Sequence, residues 1–337
     1  YFYDVSGIAT RAKATTRNKA MILSQTEKGS IVPTTAGIAD NSTKSVTYYV
    51  NDVGEEQSNY TIKYAGTTPV DYTAYFYGIA DGAGARASSS TLNMRMTASH
   101  TAENAAAASL TATTNTKSIT YYKNDAGEEQ SDYTIKYAGT TPVDYTAYFY
   151  GITDGAGSRA SSSTLNMRMT VSQTDKTSAA TTIVASATTK SATYYKNDVG
   201  EEQSDYTIKY ANGAVGDITV YFYGTTKARA GVPAAYDTPL AQSNTYQSTK
   251  TISAAVAGDT ALLKSKTYYS ISDSGGNARQ PGEEYIDYME NFKIDGVAKY
   301  YNSVYFYGVS KTRAAAVSVD QYDALTMSVN FLESTVD

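Results

Sequence analysis

The sequence has no cysteine, no tryptophan and one histidine in 337 residues. No apolar run approaches the roughly 18 residues that span a bilayer, so no transmembrane segment is expected. Without cysteine, disulfide frameworks, thiolate nucleophiles and cysteine-ligated zinc are excluded. The single histidine, His100, leaves no histidine-rich metal site. Positive charge is short as well: 28 Lys and Arg against 33 Asp and Glu give a net charge of −5. A nucleic-acid partner needs a basic stripe, so none is expected. What the chain has in excess is tyrosine, 33 residues against 7 phenylalanines. The length by itself suggests two domains. The sequence starts at Tyr1 rather than Met, as removal of a leader or cutting of a longer chain would leave it.

Internal repetition dominates the rest. Thr-Tyr-Tyr occurs at Thr47, Thr120, Thr193 and Thr267, spaced 73, 73 and 74. Tyr-Phe-Tyr occurs at Tyr1, Tyr75, Tyr148, Tyr221 and Tyr305, spaced 74, 73, 73 and 84. Residues 44–97 and 117–170 differ at six of 54 positions. The reading is an N-terminal half repeat (1–43) and repeats at 44–116, 117–189, 190–263 and 264–337. The last is the most divergent, with an insertion around Ser274–Pro281. With back halves outnumbering front halves and one at each end, simple ring closure is not expected.

Each repeat reads as β. Tyr133, Ile135 and Tyr137 alternate with Thr134 and Lys136, and Leu165, Met167 and Met169 with Asn166 and Arg168. The segment Asp144–Tyr150 is aromatic on both faces and is expected to be the central strand. The Ala- and Thr-rich stretches Ser30–Thr43, Thr101–Thr116 and Ser178–Thr189 suggest an edge-like strand plus connection, with a helix at Glu103–Leu110 as the alternative. The expected fold class is all-β, a tandem array of antiparallel units of about 73 residues, four full and one half, with roughly 18–22 strands. A unit of that size is small for an independent core, so neighbouring units or subunits should share burial. The half repeat would leave open β edges. It is expected to be an assembly segment, and deleting 1–43 is expected to abolish polymerisation while leaving a folded chain.

Several motifs invite chemistry. Gly-Glu-Glu ends each front half, with Glu56, Glu129, Glu202 and Glu284 as the second glutamates. Adjacent carboxylates on a strand point to opposite faces, so they do not converge as a catalytic pair. No catalytic residue is assigned, and the chain is not expected to be an enzyme. Asn124, Asp125, Glu128 and Glu129 supply oxygens around a glycine and are calcium candidates, although their spacing does not match an EF-hand loop. An arginine follows each Tyr-Phe-Tyr, at Arg11, Arg86, Arg159, Arg229 and Arg313. Paired with the glutamates, these suggest repeated assembly ion pairs within a repeat or between neighbours, with Arg168 left on an exposed strand face. His100 aligns with Gln25 and Gln173 and reads as a solvated polar position. Asp81-Gly-Ala-Gly84 has glycines but no following helix, so it is not read as a phosphate loop. Asn41-Ser-Thr and Asn59-Tyr-Thr fit the glycosylation sequon. The pairs Tyr48/Tyr49, Tyr121/Tyr122, Tyr194/Tyr195 and Tyr268/Tyr269 offer either sugar-stacking platforms or, as the favoured reading, packing on core and neighbour.

The segments YYKNDAGEEQSDYTIKY, DYTAYFYG and TLNMRM, repeated through the chain, resemble in class the tandem-repeat proteins of prokaryotic surface layers, sheaths and extracellular fibres. The resemblance implies ordered self-assembly into a homo-polymer at the cell surface, with no catalytic residues to transfer. An adhesin or carbohydrate-binding stalk of independent β-sandwich modules, with a glycan contact in the divergent repeat, is the alternative.

Overall fold

The fold is taken from a computed structural model of the whole chain. It describes all residues except 6, 13–17, 28–32, 34, 35, 38, 273–275, 277, 280, 294–297, 315–324 and 333–337. Parts of the expected edge strand at 30–43 and of the 274–281 insertion lie outside the described residues. Among those described the protein is all-β, with 22 strands, short 3-10 turns and no α-helix.

The strands pair antiparallel throughout the described residues. β1 (Phe2–Val5) lies between β2 (Ile8–Arg11) and β3 (Met21–Glu27). β3 pairs with β4 (Thr43–Val50), β4 with β5 (Gln57–Ala65) and β5 with β6 (Thr68–Gly78). β6 then pairs with the short β7 (Ala85–Arg86) and with β8 (Arg95–Ala102). β8 pairs with β9 (Thr116–Lys123), β9 with β10 (Gln130–Ala138) and β10 with β11 (Thr141–Gly151). After β12 (Ser158–Arg159), the same order runs through β13 (Arg168–Asp175), β14 (Thr189–Lys196), β15 (Gln203–Ala211), β16 (Ala214–Tyr223), β17 (Leu240–Gln247) and β18 (Leu263–Ser270). It ends with β19 (Tyr285–Phe292) and β20 (Lys299–Tyr307), which pairs with β21 (Thr312–Arg313) and β22 (Leu325–Leu332). By contacts the chain forms two compact units. One holds 1–148, 159–165 and 176–181, the other 149–158, 166–175 and 182–337.

Alternation gives these sheets two unlike faces. On one, Ala74, Phe76, Ala98 and Ile119 form a buried cluster, and so do Ile218, Val220, Phe222, Tyr246 and Leu263. On the other, Thr120 and Thr134 stand opposite each other with hydroxyls 2.8 Å apart, and Thr134 meets the Tyr148 hydroxyl at 3.0 Å. The same ladder recurs at Thr47, Thr61 and Tyr75 and at Thr193, Thr207 and Tyr221. Each such cross-strand pair contributes roughly 0.2–1 kcal/mol.

Two expectations need correction. The Ala-rich segment after β8 is neither strand nor helix. Residues 103–115 form an irregular strap whose Ala106, Ala107 and Leu110 pack on the Ala74–Ile119 cluster. The reason is geometric: β8 already gives its edges to β6 and β9, so no edge is left for a fifth strand. Small side chains let the strap lie close on the sheet. The second correction concerns Leu165–Met169. Ser162–Thr164 forms a 3-10 turn, Asn166 adopts φ 59°, and the strand begins only at Arg168. Asn tolerates that left-handed conformation and so stops the alternation.

Candidate functional site

The arginines act as clamps, with partners other than the glutamates. Arg159 directs Nε to Asp132 at 2.6 Å and a terminal nitrogen to the Ala180 carbonyl at 2.7 Å. Its guanidinium lies over the Tyr133 ring, 5.3 Å from the centroid. Arg229 repeats this with Asp205 at 2.6 Å and the Ile252 carbonyl at 2.9 Å, and Arg313 reaches Asp287 at 2.7 Å. Arg86 reaches Asn59 at 2.5 Å and the Ala107 carbonyl at 2.9 Å, but its buried Nε has no hydrogen-bond partner. Burial is the main cause that lowers the Arg86 pKa, and Tyr60 partly opposes it. Each of these carbonyls belongs to a strap, so Arg86, Arg159 and Arg229 tie strap to sheet. Arg11 stands opposite Phe2 and is exposed, with no ion pair among the described residues.

The second glutamates have a different task. Glu129 accepts the Gly127 N–H at 2.9 Å and, through its other oxygen, the Met96 N–H at 2.9 Å. Glu56 does the same with Gly54 and Met21, Glu202 with Gly200 and Met169, and Glu284 with Gly282 and Leu240. One oxygen closes the turn, and the other caps the strand that precedes it in the sheet. The expected Glu–Arg pairs are therefore not formed among the described residues. Asp132 sits on β10 beside Arg159, whereas Glu129 lies in the turn before β10 and faces back to β8. Arg168, expected to be idle on an exposed face, reaches Asp154 at 2.5 Å and is largely covered.

The other candidates also have partners within the fold. In the calcium candidate loop, Asn124 takes φ 78° and its amide donates to Gln130 at 3.0 Å. Glu129 spends both oxygens as described, and Glu128 N donates to the Asp125 carbonyl at 3.0 Å. Asn124 and Asp125 line a crevice of about 360 Å³ together with Arg95 and Lys123, cations that oppose a metal ion there. Among the described residues no group of three or more acidic or histidine side chains converges.

His100 is fully buried, which corrects its reading as solvated. Its Nδ1–H donates to the Ser109 carbonyl at 2.9 Å, and Nε2 accepts from Thr116 at 2.8 Å, so it pins the strap. Desolvation lowers its pKa, with the Ser109 bond in partial opposition. Gln173 does equivalent work on the Val184 carbonyl at 3.2 Å.

The tyrosine pairs divide their roles. Tyr48, Tyr121, Tyr194 and Tyr268 stack on Tyr60, Tyr133, Tyr206 and Tyr288 at 4.4–4.6 Å. Their neighbours Tyr49, Tyr122, Tyr195 and Tyr269 hydrogen-bond serines on the preceding strand. In the glycine loop, a Cβ on Gly84 would lie 2.6 Å from Thr97 Oγ1, so close packing accounts for that glycine.

Sequence reasoning missed Asp132, Asp205 and Asp287, the carboxylates that hold the arginines. The signal was present in the repeat position where Asn59, read only as part of a sequon, aligns with Asp132 and Asp205. It also missed Gln57, Gln130 and Gln203, whose amides donate to the Thr91, Thr164 and Ala235 carbonyls and hold the 3-10 turns.

The divergent C-terminal region has one feature of its own. A groove of about 720 Å³ is lined by Asp217, Lys264, Asn291, Phe292, Tyr300 and Tyr301, among others. Lys264 and Asp217 pair at 2.6 Å, Tyr300 is 55% exposed, and the Asn291 amide nitrogen has no hydrogen-bond partner.

No protein-family model matches the chain, and no curated protein matches it. The crystal structure of TcdB2-TccC3 aligns with 88% of this chain and 16% of its own, at 11% identity and a TM-score of 0.17. This chain thus spans a small part of that structure, and a likeness at that level carries no argument. Among the described residues no helix is long and apolar enough to cross a membrane.

Proposed function

We propose that this chain is a self-assembling structural protein of the cell exterior. It builds a sheath, layer or filament through β-strand contacts between subunits, and it performs no catalysis. The observation that supports this is the way each repeat is completed by its neighbour. The last strand of one pairs with the Thr-Tyr-Tyr strand of the next, with a Ser–Tyr hydroxyl bond and a glutamate cap at each junction. Repeats that close only by stacking are the physical basis of extended arrays. Low charge suits surfaces that meet their own copies.

Negative-stain electron microscopy with light-scattering mass tests the reading, with and without chelator. Regular tubes, sheets or threads are the expected result, and their dissolution by chelator would bring calcium back. A monodisperse monomer under both conditions overturns it. The groove at Tyr300 and Tyr301 favours a second reading, a carbohydrate-binding stalk, because an exposed ring beside amide, carboxylate and ammonium groups suits a sugar. Glycan binding by a monomer, lost in Tyr300→Ala, would put that reading first.

A further inference from the structure

Four junctions inside the chain follow one plan. In β3–β4, β8–β9, β13–β14 and β17–β18, Ser24, Ser99, Ser172 and Ser243 stand opposite Thr47, Thr120, Thr193 and Thr267. Each serine hydroxyl lies 3.0–3.3 Å from the hydroxyl of the tyrosine after next to that threonine, Tyr49, Tyr122, Tyr195 or Tyr269. Three residues before the serine, near the start of the same strand, the N–H of Met21, Met96, Met169 or Leu240 donates to the glutamate of the following turn.

β22 has the features of such a strand. Its register on β20 places Ser328 opposite Tyr305, as Ser99 is opposite Tyr75 and Ser243 opposite Tyr221. It places Leu325 opposite Tyr307, as Met96 is opposite Tyr77 and Leu240 opposite Tyr223. Met327, Val329 and Phe331 fall on one face and Ser328 and Asn330 on the other, with a break in register between Met327 and Leu325. Yet β22 pairs only with β20 among the described residues. Met327 and Val329 are only half-buried and Phe331 is 42% exposed, whereas Ala98, His100 and Ala102, at the matching positions of β8, are buried. A long edge with open amides and an apolar face is a template for another strand.

We infer that the free edge of β22 is a docking site for a Thr-Tyr-Tyr strand followed by a Gly-Glu-Glu turn. The second tyrosine meets Ser328, the second glutamate caps the Leu325 N–H, and the apolar residue before Thr-Tyr-Tyr covers Val329. Pairing of β22 with a copy of itself supplies neither the tyrosine nor the carboxylate, which is why the heterologous strand is favoured. This strand pairing does not rest on the structural reading above.

The test uses the full chain and a fluorescent synthetic peptide of residues 116–130. Saturable binding of one peptide per chain is expected. Glu129→Gln with Tyr122→Phe in the peptide, or Val329→Asp in the chain, should weaken it by about tenfold or more. Unchanged circular dichroism of the Val329→Asp chain separates loss of docking from loss of fold. Absence of saturable binding overturns the inference, and so does binding indifferent to both changes. Ser328→Cys introduces a lone thiol into a cysteine-free chain, and its efficient oxidation to a disulfide dimer would show β22 pairing with itself, which also overturns it. Polymers formed by a chain that binds no peptide overturn the docking site and leave the assembly reading standing. A monomeric chain that binds the peptide supports the site and removes the assembly reading.

Discussion

Ile119 and Lys266 stand at corresponding points of their sheets, and their surroundings explain why one is apolar and the other charged. Ile119 lies opposite His100 on β8 and Ile135 on β10, beneath a strap that contributes Ala106, Ala107 and Leu110. Lys266 lies opposite Asn244 on β17 and Glu290 on β19, and Glu290 lies opposite Asn302 on β20. A row that is mainly apolar in the near-identical repeats has become amide, ammonium, carboxylate and amide. Lys266 is only 8% exposed, and desolvation is the main cause that lowers its pKa, with Glu290 in opposition. Glu290 also accepts the Tyr268 hydroxyl at 3.0 Å and pairs with Lys299. The lesson is that register chooses which residues meet, and a polar row survives there only when its members complement one another across the strands.

The largest expected effect comes from moving the charge. Ile119→Lys places an ammonium where no carboxylate faces it and should cost about 4 kcal/mol or more. Lys266→Ile should change stability by less than about 1 kcal/mol, because Glu290 keeps Lys299 and Tyr268. Urea midpoints measure both, and equal losses would break the comparison. Next come the clamps. Arg159→Ala leaves Asp132, 4% exposed, with only Lys123 at 3.4 Å, and should cost about 3 kcal/mol. Arg168→Ala, whose partner Asp154 is 56% exposed, should cost about 0–1 kcal/mol in the same assay.

The Arg86 clamp offers the converse. Asn59→Asp gives the unpartnered Arg86 Nε a carboxylate like the one Arg159 has, and should raise stability by about 1 kcal/mol. A loss in calorimetric melting would show that desolvating the new carboxylate outweighs the bond. The smallest effect is the pH dependence of His100. Its folded pKa is depressed, so between that value and the ordinary one the unfolded chain holds more protons. The stabilisation is full above the unfolded pKa and fades as pH falls through the window below it. His100→Gln, which copies Gln173, should flatten the decline in melting temperature between about pH 7 and pH 5. An unaltered slope would assign that decline to other groups.

Much of the architecture was legible from residues. Period-2 alternation at Tyr133–Tyr137 and the turns around Gly127 and Gly139 identify β10 and its hairpins because strand geometry is local. The strap was not legible. Thr101–Thr116 has the composition of a strand connection, and only the edge pairing of β8 with β9 shows that no free edge remains for it. His100 was misread, and Asp132 missed, for the same reason: polar residues in a repeat look solvated until the covering segment is seen. The roles of glutamate and arginine were the hardest, since both recur once per repeat and opposite charge invites pairing.

The sequence by itself determined the β class, the roughly 73-residue spacing of like strands and the two-faced alternation within them, because these follow from backbone period and turn chemistry along a few residues. Only the tertiary structure decided which groups meet. It sends Arg159 to Asp132 rather than Glu129, Glu129 to the Met96 amide, and His100 to a strap carbonyl, because such contacts depend on the register between strands and on what covers each face.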